Sequence, residues 1–289
     1  MTTLELRGVT KEYRIRGARG RERKLLAVRD VSFTIESGRT VALVGQSGSG
    51  KSTIAKLLMQ LERPTHGQIL LDGTPIRRHG EGLREYRHRV QMVFQDPFAS
   101  LNPFHSVGHH LRRPVQLHKR AKTEEEVDAA VRRLLERVRL TPADQMAAKR
   151  PHELSGGQRQ RVAIARALAP QPEMLVADEP VSMLDVSIRL GVLNLLAGLQ
   201  REENLGVLYI THDLATARHF SDEILVMYKG EIVERGPADE VILNPQHPYT
   251  RTLAAAAPNP ELRLAQRAPG GAQAEPGFGG AEHPHRSPG

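Results

Sequence analysis

Apolar positions along this chain follow two rhythms that alternate with each other. Short unbroken runs such as "TVALVG" (Thr40–Gly45), "MLVAD" and "GVLYIT" have the length and β-branched content of buried strands. "GQILLDG" and "RVQMVFQDP" add two more, and Leu4–Arg7 and Val28–Ile35 another two, with a basic loop between them. Between these runs the period lengthens to that of a helix. One helix is expected from Lys51 to about Glu62, one from Gln158 to Leu168 and one from Asp185 to about Glu203. "EILVMYKGEIVERG" reads as a hairpin turning at Lys229-Gly230. From about Pro97 to Lys149 the strand pattern stops. There "TEEEVDAAVRRLLERVRL" puts Val127, Val131, Leu134, Leu135 and Val138 on one helical face, and Thr123 with Glu126 forms a capping box. Strands alternating with helices on both sides of a helical insertion predict an α/β fold with a mainly parallel core sheet.

Composition narrows the function classes. The chain has 289 residues and no cysteine. Disulfides, thiolate zinc sites and cysteine-held iron–sulfur clusters are therefore excluded. No apolar run reaches the roughly eighteen residues of a membrane span. "MTTLELRGVTKEY" lacks the apolar core of a secretory signal. The formal net charge is +8, which suits an anionic neighbour. Much of the excess sits in Arg14–Lys24, without the aromatic interleaving of a nucleic-acid site, so no specific nucleic acid is expected. "NPQHPYTRTLAAAAP" reads as a proline-marked helical extension, and the Gly/Pro-rich stretch from Ala268 to Gly289 as disordered.

Four clusters carry chemistry. "GQSGSGKS" (Gly45, Gln46, Ser47, Gly48, Ser49, Gly50, Lys51, Ser52) fits G-x-x-x-x-G-K-[ST] and lies between a strand and a helix, with Thr53 next in line. In that context loop N–H groups cradle phosphates, Lys51 reaches the β/γ oxygens and Ser52 holds Mg²⁺. "MLVADE" ends in Asp178, on the Mg²⁺ side, and Glu179, suited to activating a water. Gln95 in "FQDP" and His212 in "THD" follow the ends of two further strands, on the face where a parallel sheet binds its ligands. Last, "LSGGQ" opens a helix on Ser155, Gly156 and Gly157. Ser155 with Gln158 fits a capping box, which leaves the two glycines unexplained. Missing side chains at a helix N-terminus leave backbone N–H groups open to an anion, so the stretch reads as a second phosphate contact.

In order, "GQSGSGKS", "FQDP", "LSGGQ", "MLVADEP", "SMLD" and "THD" resemble the nucleotide-binding subunit of ATP-binding cassette (ABC) transporters, over roughly residues 4–236. The resemblance implies a P-loop ATPase with an N-terminal antiparallel β subdomain and an inserted helical subdomain at about 97–170. An extension at 237–262 and a tail at 263–289 would follow. It implies ATP and Mg²⁺ as cofactors and a head-to-tail dimer, in which Ser155, Gly156, Gly157 and Gln158 of one chain cap the γ-phosphate held by the other. Tyr13 matches the aromatic that stacks on adenine, and Gln95 the residue that contacts Mg²⁺ and water and senses the membrane partner. Glu179 matches the general base, His212 the switch histidine and Asp185 the loop crossing between subunits. Met183 stands where that loop usually has alanine. "QDPFASLNP" and the late "NPQHPYTRTLAAAAP" are similar to the ATPases of oligopeptide, dipeptide and nickel importers, a group that includes some oligosaccharide importers. Integral membrane permeases, a second ATPase (same or different chain) and a separate extracytoplasmic solute-binding protein are the implied partners, at the cytoplasmic face of the membrane. The segment 96–118 would form the groove for a permease helix.

Two other readings compete. A soluble cassette ATPase acting on nucleic acid or the ribosome would suit the basic charge, but such proteins generally carry two cassettes or a long coiled-coil insertion. A small-molecule kinase would share the phosphate loop and leave "LSGGQ" and His212 unexplained.

Overall fold

The computed structural model describes residues 1–16, 22–118 and 121–256. The chain opens with an antiparallel ribbon, β1 (Thr3–Arg16) and β2 (Glu22–Glu36), then β3 (Thr40–Val44) and α1 (Lys51–Leu58). β4 (His66–Leu71), β5 (Thr74–Pro75), α2 (Gly80–Arg89) and β6 (Val90–Val93) follow. The next stretch is helical: α3 (Pro97–Ser100), α4 (Val107–Leu117), α5 (Glu124–Arg137), α6 (Ala143–Ala148) and, after a single 3₁₀ turn, α7 (Gly156–Leu168). β7 (Met174–Asp178), α8 (Val186–Glu202), β8 (Gly206–Thr211), α9 (Leu214–Phe220), β9 (Glu223–Tyr228), β10 (Glu231–Pro237), α10 (Ala238–Leu243) and α11 (Pro248–Ala256) complete it.

Two sheets form, in the orders β2-β1-β4-β5 and β10-β9-β3-β8-β7-β6. The first is antiparallel; in the second, β3, β6, β7, β8 and β9 run parallel and β10 closes the edge antiparallel to β9. The central parallel strands β3, β7 and β8 are mostly apolar and buried because both faces are covered. Val41 and Leu43 of β3, Met174 and Val176 of β7 and Leu208 and Ile210 of β8 pack with α1 and the antiparallel sheet. Their neighbours Ala42, Val44, Leu175, Ala177, Val207 and Tyr209 face the opposite way, into the core shared with the helices. The period of two in a strand thus divides one run of sequence between two cores.

Two expectations need correction. The basic stretch is not simply a loop, since Arg14 pairs with Lys24 and Arg16 with Glu22 as β1 and β2 extend into it; residues 17–21 lie outside the described residues. The first helix ends at Leu58 rather than near Glu62, because Gln60 takes a left-handed φ of 54° and Leu61 N–H returns to Lys56 O at 3.0 Å. The short helices α2, α9 and α10 carry too few apolar positions to announce themselves as periods. The expected turn at Lys229-Gly230 is present, with φ of 48° and 91°, the backbone of a tight hairpin. The expected tail lies outside the described residues. Among the described residues no helix is long and apolar enough to cross a membrane.

Candidate active site

The strand order sets β3, β8, β7 and β6 side by side, so the loops leaving their carboxyl ends converge. The loop after β3 is tightly held. A Cβ on Gly45 would lie 2.2 Å from Met227 O, and one on Gly50, at φ 114°, would lie 2.4 Å from Ala27 O. Gly48, at φ 80°, has no atom within 4 Å of its missing Cβ, so its backbone faces open space. Lys51 Nζ, buried, donates to Gly45 O at 2.6 Å and Gln46 O at 3.0 Å. Burial lowers its pKa, while Glu179 and Asp178 act to raise it. Ser49 Oγ is buried with no hydrogen-bond partner among the described residues. The N-terminus of α1, where Ser52 and Thr53 sit, has no side-chain cap. A helix N-terminus without a side-chain cap, a buried ammonium and an unsatisfied hydroxyl around an open-backed glycine are what a polyphosphate satisfies.

Asp178 and Glu179 leave β7 beside this loop. Burial, and then the neighbouring Glu179, raise the Asp178 carboxyl to about 6. Carboxylates crowded in this way gain from a cation. Glu179 holds a left-handed φ of 43°, with its N–H bonded to Ile210 O at 2.9 Å. Such a conformation costs about 1–2 kcal/mol in a non-glycine residue. It turns the carboxylate toward the two residues that follow β6 and β8: Gln95 Nε2 donates to Glu179 Oε2 at 3.0 Å, and His212 Nδ1 lies 3.3 Å from Oε1. These three residues, Tyr13 and the loop line one cleft of about 920 Å³.

Tyr13 reaches this cleft from β1. Its hydroxyl donates to Glu62, and burial followed by that contact pushes its pKa up to about 12. Lys11 Nζ lies 4.9 Å from its ring centroid, so the ring is held by its neighbours rather than free to swing. Leu25, Leu26, Ala27, Lys229 and Gly230 also line the cleft, and the sequence motifs point to none of them as a site residue. The signal for Lys229 and Gly230 was available: β9 pairs in parallel with β3, so its following turn must arrive at the same edge.

Ser155, Gly156, Gly157, Gln158 and Asp185 do not line this cleft. Ser155 Oγ accepts from Gln158 N–H at 3.3 Å while Gln158 Oε1 accepts from Ser155 N–H at 3.0 Å. The glycines have distinct physical reasons. A Cβ on Gly157 would meet Ile188 Cγ2 of α8 at 2.5 Å, whereas one on Gly156 would reach only Leu184 Cδ2, at an ordinary 3.4 Å. Packing alone therefore demands Gly157; it does not demand Gly156. Asp185 stands at the N-cap of α8, exposed, with no side-chain cap bond. Met183, Val186 and Leu190 form an exposed apolar patch around it.

Comparison with known proteins places these features. Residues 28–182 match the ABC transporter family, and residues 233–278 match the oligopeptide/dipeptide transporter C-terminal region. The probable peptide ABC transporter ATP-binding protein y4tS of Sinorhizobium fredii is 46% identical over 266 residues, covering 89% of this chain and 73% of that protein. The oligopeptide transport ATP-binding protein OppF of Bacillus subtilis is 48% identical, covering 81% of this chain and 77% of that protein. Among solved structures, the dimeric post-hydrolysis state of the ATP-binding cassette MJ0796 bound to ADP and Pi superposes with a TM-score of 0.71 at 32% identity, covering 81% of this chain and 98% of the other.

Proposed function

The chain belongs to the ABC transporter family as an ATP-hydrolysing subunit, and we propose that it powers the uptake of short peptides from a site built on the residues above. The peptide reading draws on the relatives' names and on the match of the C-terminal extension to the oligopeptide/dipeptide group. Nickel and oligosaccharide importers share that extension's likeness and remain the other solutes to test. Permeases in the membrane and a second ATPase chain are its partners. A separate extracytoplasmic binding protein delivers the solute, and the chain sits peripherally on the cytoplasmic face.

The observation that carries the catalytic reading is the convergence of Gln95 and His212 on the two oxygens of Glu179 at the mouth of the phosphate loop. Glu179 is the general base, which accepts the proton of the attacking water. Gln95 and His212 hold its carboxylate in place, and His212 is placed to meet the γ-phosphate. Lys51 exchanges its two loop carbonyls for phosphate oxygens. The loop N–H groups and Ser49 bind the phosphate chain, and Tyr13 offers its ring to adenine. Ser52, Asp178 and Gln95 are the residues that would hold Mg²⁺, which supplies positive charge against the β/γ oxygens when bound. Asp178, raised to about 6 by burial and Glu179, gains its charged form from such a cation. Ser155, Gly156, Gly157 and Gln158 act on the nucleotide of the second chain, and Asp185 crosses between the chains.

Gln95 also ties this site to a second feature. A groove of about 880 Å³ lies next to it, lined by Leu61, Arg84, Arg87, Phe94, Leu117 and other residues. Leu61, Phe94 and Leu117 are exposed apolar side chains. The groove fits an amphipathic permease helix, and it draws on the turn after α1, on α2 and on β6 as well as on the end of the expected 96–118 segment.

The test is Glu179→Gln in the full chain. Hydrolysis is expected to fall at least about 100-fold while ATP binding persists, and the ATP-loaded variant should bring permeases and a second ATPase out of native membranes. Hydrolysis at the wild-type rate would remove Glu179 from the role of base. Capture of ribosomes or nucleic acid without any membrane protein would favour the soluble-cassette reading.

A further inference from the structure

The C-terminal extension touches the phosphate loop. Gln46 N–H donates to the hydroxyl of Tyr249, on α11, at 2.9 Å. That N–H belongs to the peptide unit joining Gly45 to Gln46, and the carbonyl of the same unit, Gly45 O, accepts from Lys51 Nζ at 2.6 Å. In a trans peptide the N–H and C=O point in opposite directions. One peptide plane at the entrance to the loop is therefore gripped on one side by the phosphate-binding lysine and on the other by Tyr249.

The rest of the extension fixes Tyr249. The Glu234 carboxylate of β10 accepts from the backbone N–H groups of Gln246, at 2.7 Å, and His247, at 2.9 Å. Tyr249 N–H donates to His247 Nδ1 at 3.2 Å. Pro248 opens α11, where a missing N–H costs nothing. The Tyr249 ring lies on Tyr228 at a centroid distance of 4.2 Å, and Lys229, one residue on, lines the nucleotide cleft. The same hairpin turn grips the loop a second time, through Gly230 N–H to Ser49 O at 2.9 Å. "QHPYT" is thus built into a strut with its end on the loop.

We propose that Tyr249 is a positioning residue for the phosphate loop, so that the C-terminal extension sets the affinity for nucleotide. The proposal rests on the reading of this loop as the ATP site. Lys51 must let go of Gly45 O to reach phosphate, and the peptide it leaves is then held by Tyr249. Without the hydroxyl the loop has more conformations to lose when nucleotide binds, which weakens binding. The hydroxyl is not placed at the reacting phosphate, so the chemical step is left unchanged. Coupling between two sites is reciprocal, so nucleotide must in turn steady α11.

Tyr249→Phe removes the oxygen and keeps the ring on Tyr228; Lys51→Ala is the control for the loop itself. In the full chain, Tyr249→Phe is expected to raise the Kd and KM for ATP about fivefold, the usual worth of one hydrogen bond, with kcat unchanged and the melting temperature lowered by no more than about 2–4 °C. ATP should slow hydrogen exchange of the 246–256 amides in the wild type by up to about the same factor, and this slowing should disappear in Tyr249→Phe. Wild-type affinity in Tyr249→Phe, or a fall in kcat at constant KM, would overturn the proposal while loss of binding in Lys51→Ala keeps the loop as the ATP site. Wild-type binding in Lys51→Ala would instead overturn the loop reading itself.

Discussion

Gly156 and Gly157 sit side by side in the first turn of α7, yet only one of them lacks room for a methyl group. That difference separates folding from function at single residues. Gly156→Ala replaces a poor helix former with the best one, a gain of up to about 1 kcal/mol, and its Cβ meets Leu184 at ordinary contact distance. Its melting temperature should hold or rise. If the exposed backbone there meets a partner's phosphate, hydrolysis should fall at least about tenfold, since an added methyl blocks close approach of the ligand. Gly157→Ala drives its methyl into Ile188 and should lower stability by about 1–3 kcal/mol. Thermal melting and phosphate release on the same samples check both; full activity in Gly156→Ala would remove the capping role. The sequence made these glycines conspicuous as helix breakers, and the anion reading followed from helix electrostatics. It could not reveal Ile188, far downstream in sequence, because that contact exists only once α8 packs on α7.

At the scale of elements, one charged cluster ties the antiparallel sheet to the parallel one. Arg89, at the end of α2, donates to both Glu173 oxygens, at 2.8 and 2.7 Å, and to Asp72 at 2.5 Å. This joins the β4–β5 turn to the entry of β7, which ends at Asp178 and leads into Glu179. Arg89 holds the Glu173 carboxyl below its ordinary range against burial. Burial pushes Asp72 upward, but the Thr3 N–H and Arg89 together bring it down. Depressed carboxylate pKa values stabilise the fold above the unfolded-state values, and that contribution is lost as pH falls through the folded ones. Arg89→Met should therefore cost about 1–2 kcal/mol at pH 7, discounted for the partial exposure of both acids. The cost should shrink as pH falls below the ordinary carboxylate range and vanish once both carboxyls are protonated in the folded state; melting curves against pH test it, and a difference that stays constant through the acid range would deny the network this role. The sequence presented α2 as "GEGLREYRHR", with no apolar stripe. Its existence and this arginine's task are set by tertiary contacts that periodicity does not encode. The strands were legible for the opposite reason: continuous apolar runs are demanded when both faces of a sheet are buried.

For the whole molecule, the arrangement of the two phosphate-directed features decides how many chains make one site. The cleft of one chain contains Lys51, Gln95, Glu179 and His212 and none of Ser155 to Gln158. The exposed Met183, Val186 and Leu190 surround an uncapped Asp185, an apolar patch suited to a partner chain. On the proposed roles the relation is heterologous at the level of the motifs, loop against helix, and closes as a two-fold pair because each chain carries both. Complementation tests it directly. If the proposed roles hold, Glu179→Gln spoils the base and leaves the chain's own helix terminus intact, whereas Gly156→Arg spoils the helix terminus and leaves the chain's own base intact. In a mixed pair, one composite site receives both defects and the other receives neither. Two inactive preparations should therefore recover activity on mixing, up to about a quarter of the wild-type rate when copies pair at random. A site contained within one chain predicts no recovery at any ratio. No recovery, with both variants still binding ATP, would rule out a composite site between copies of this chain and direct the search to a different second ATPase.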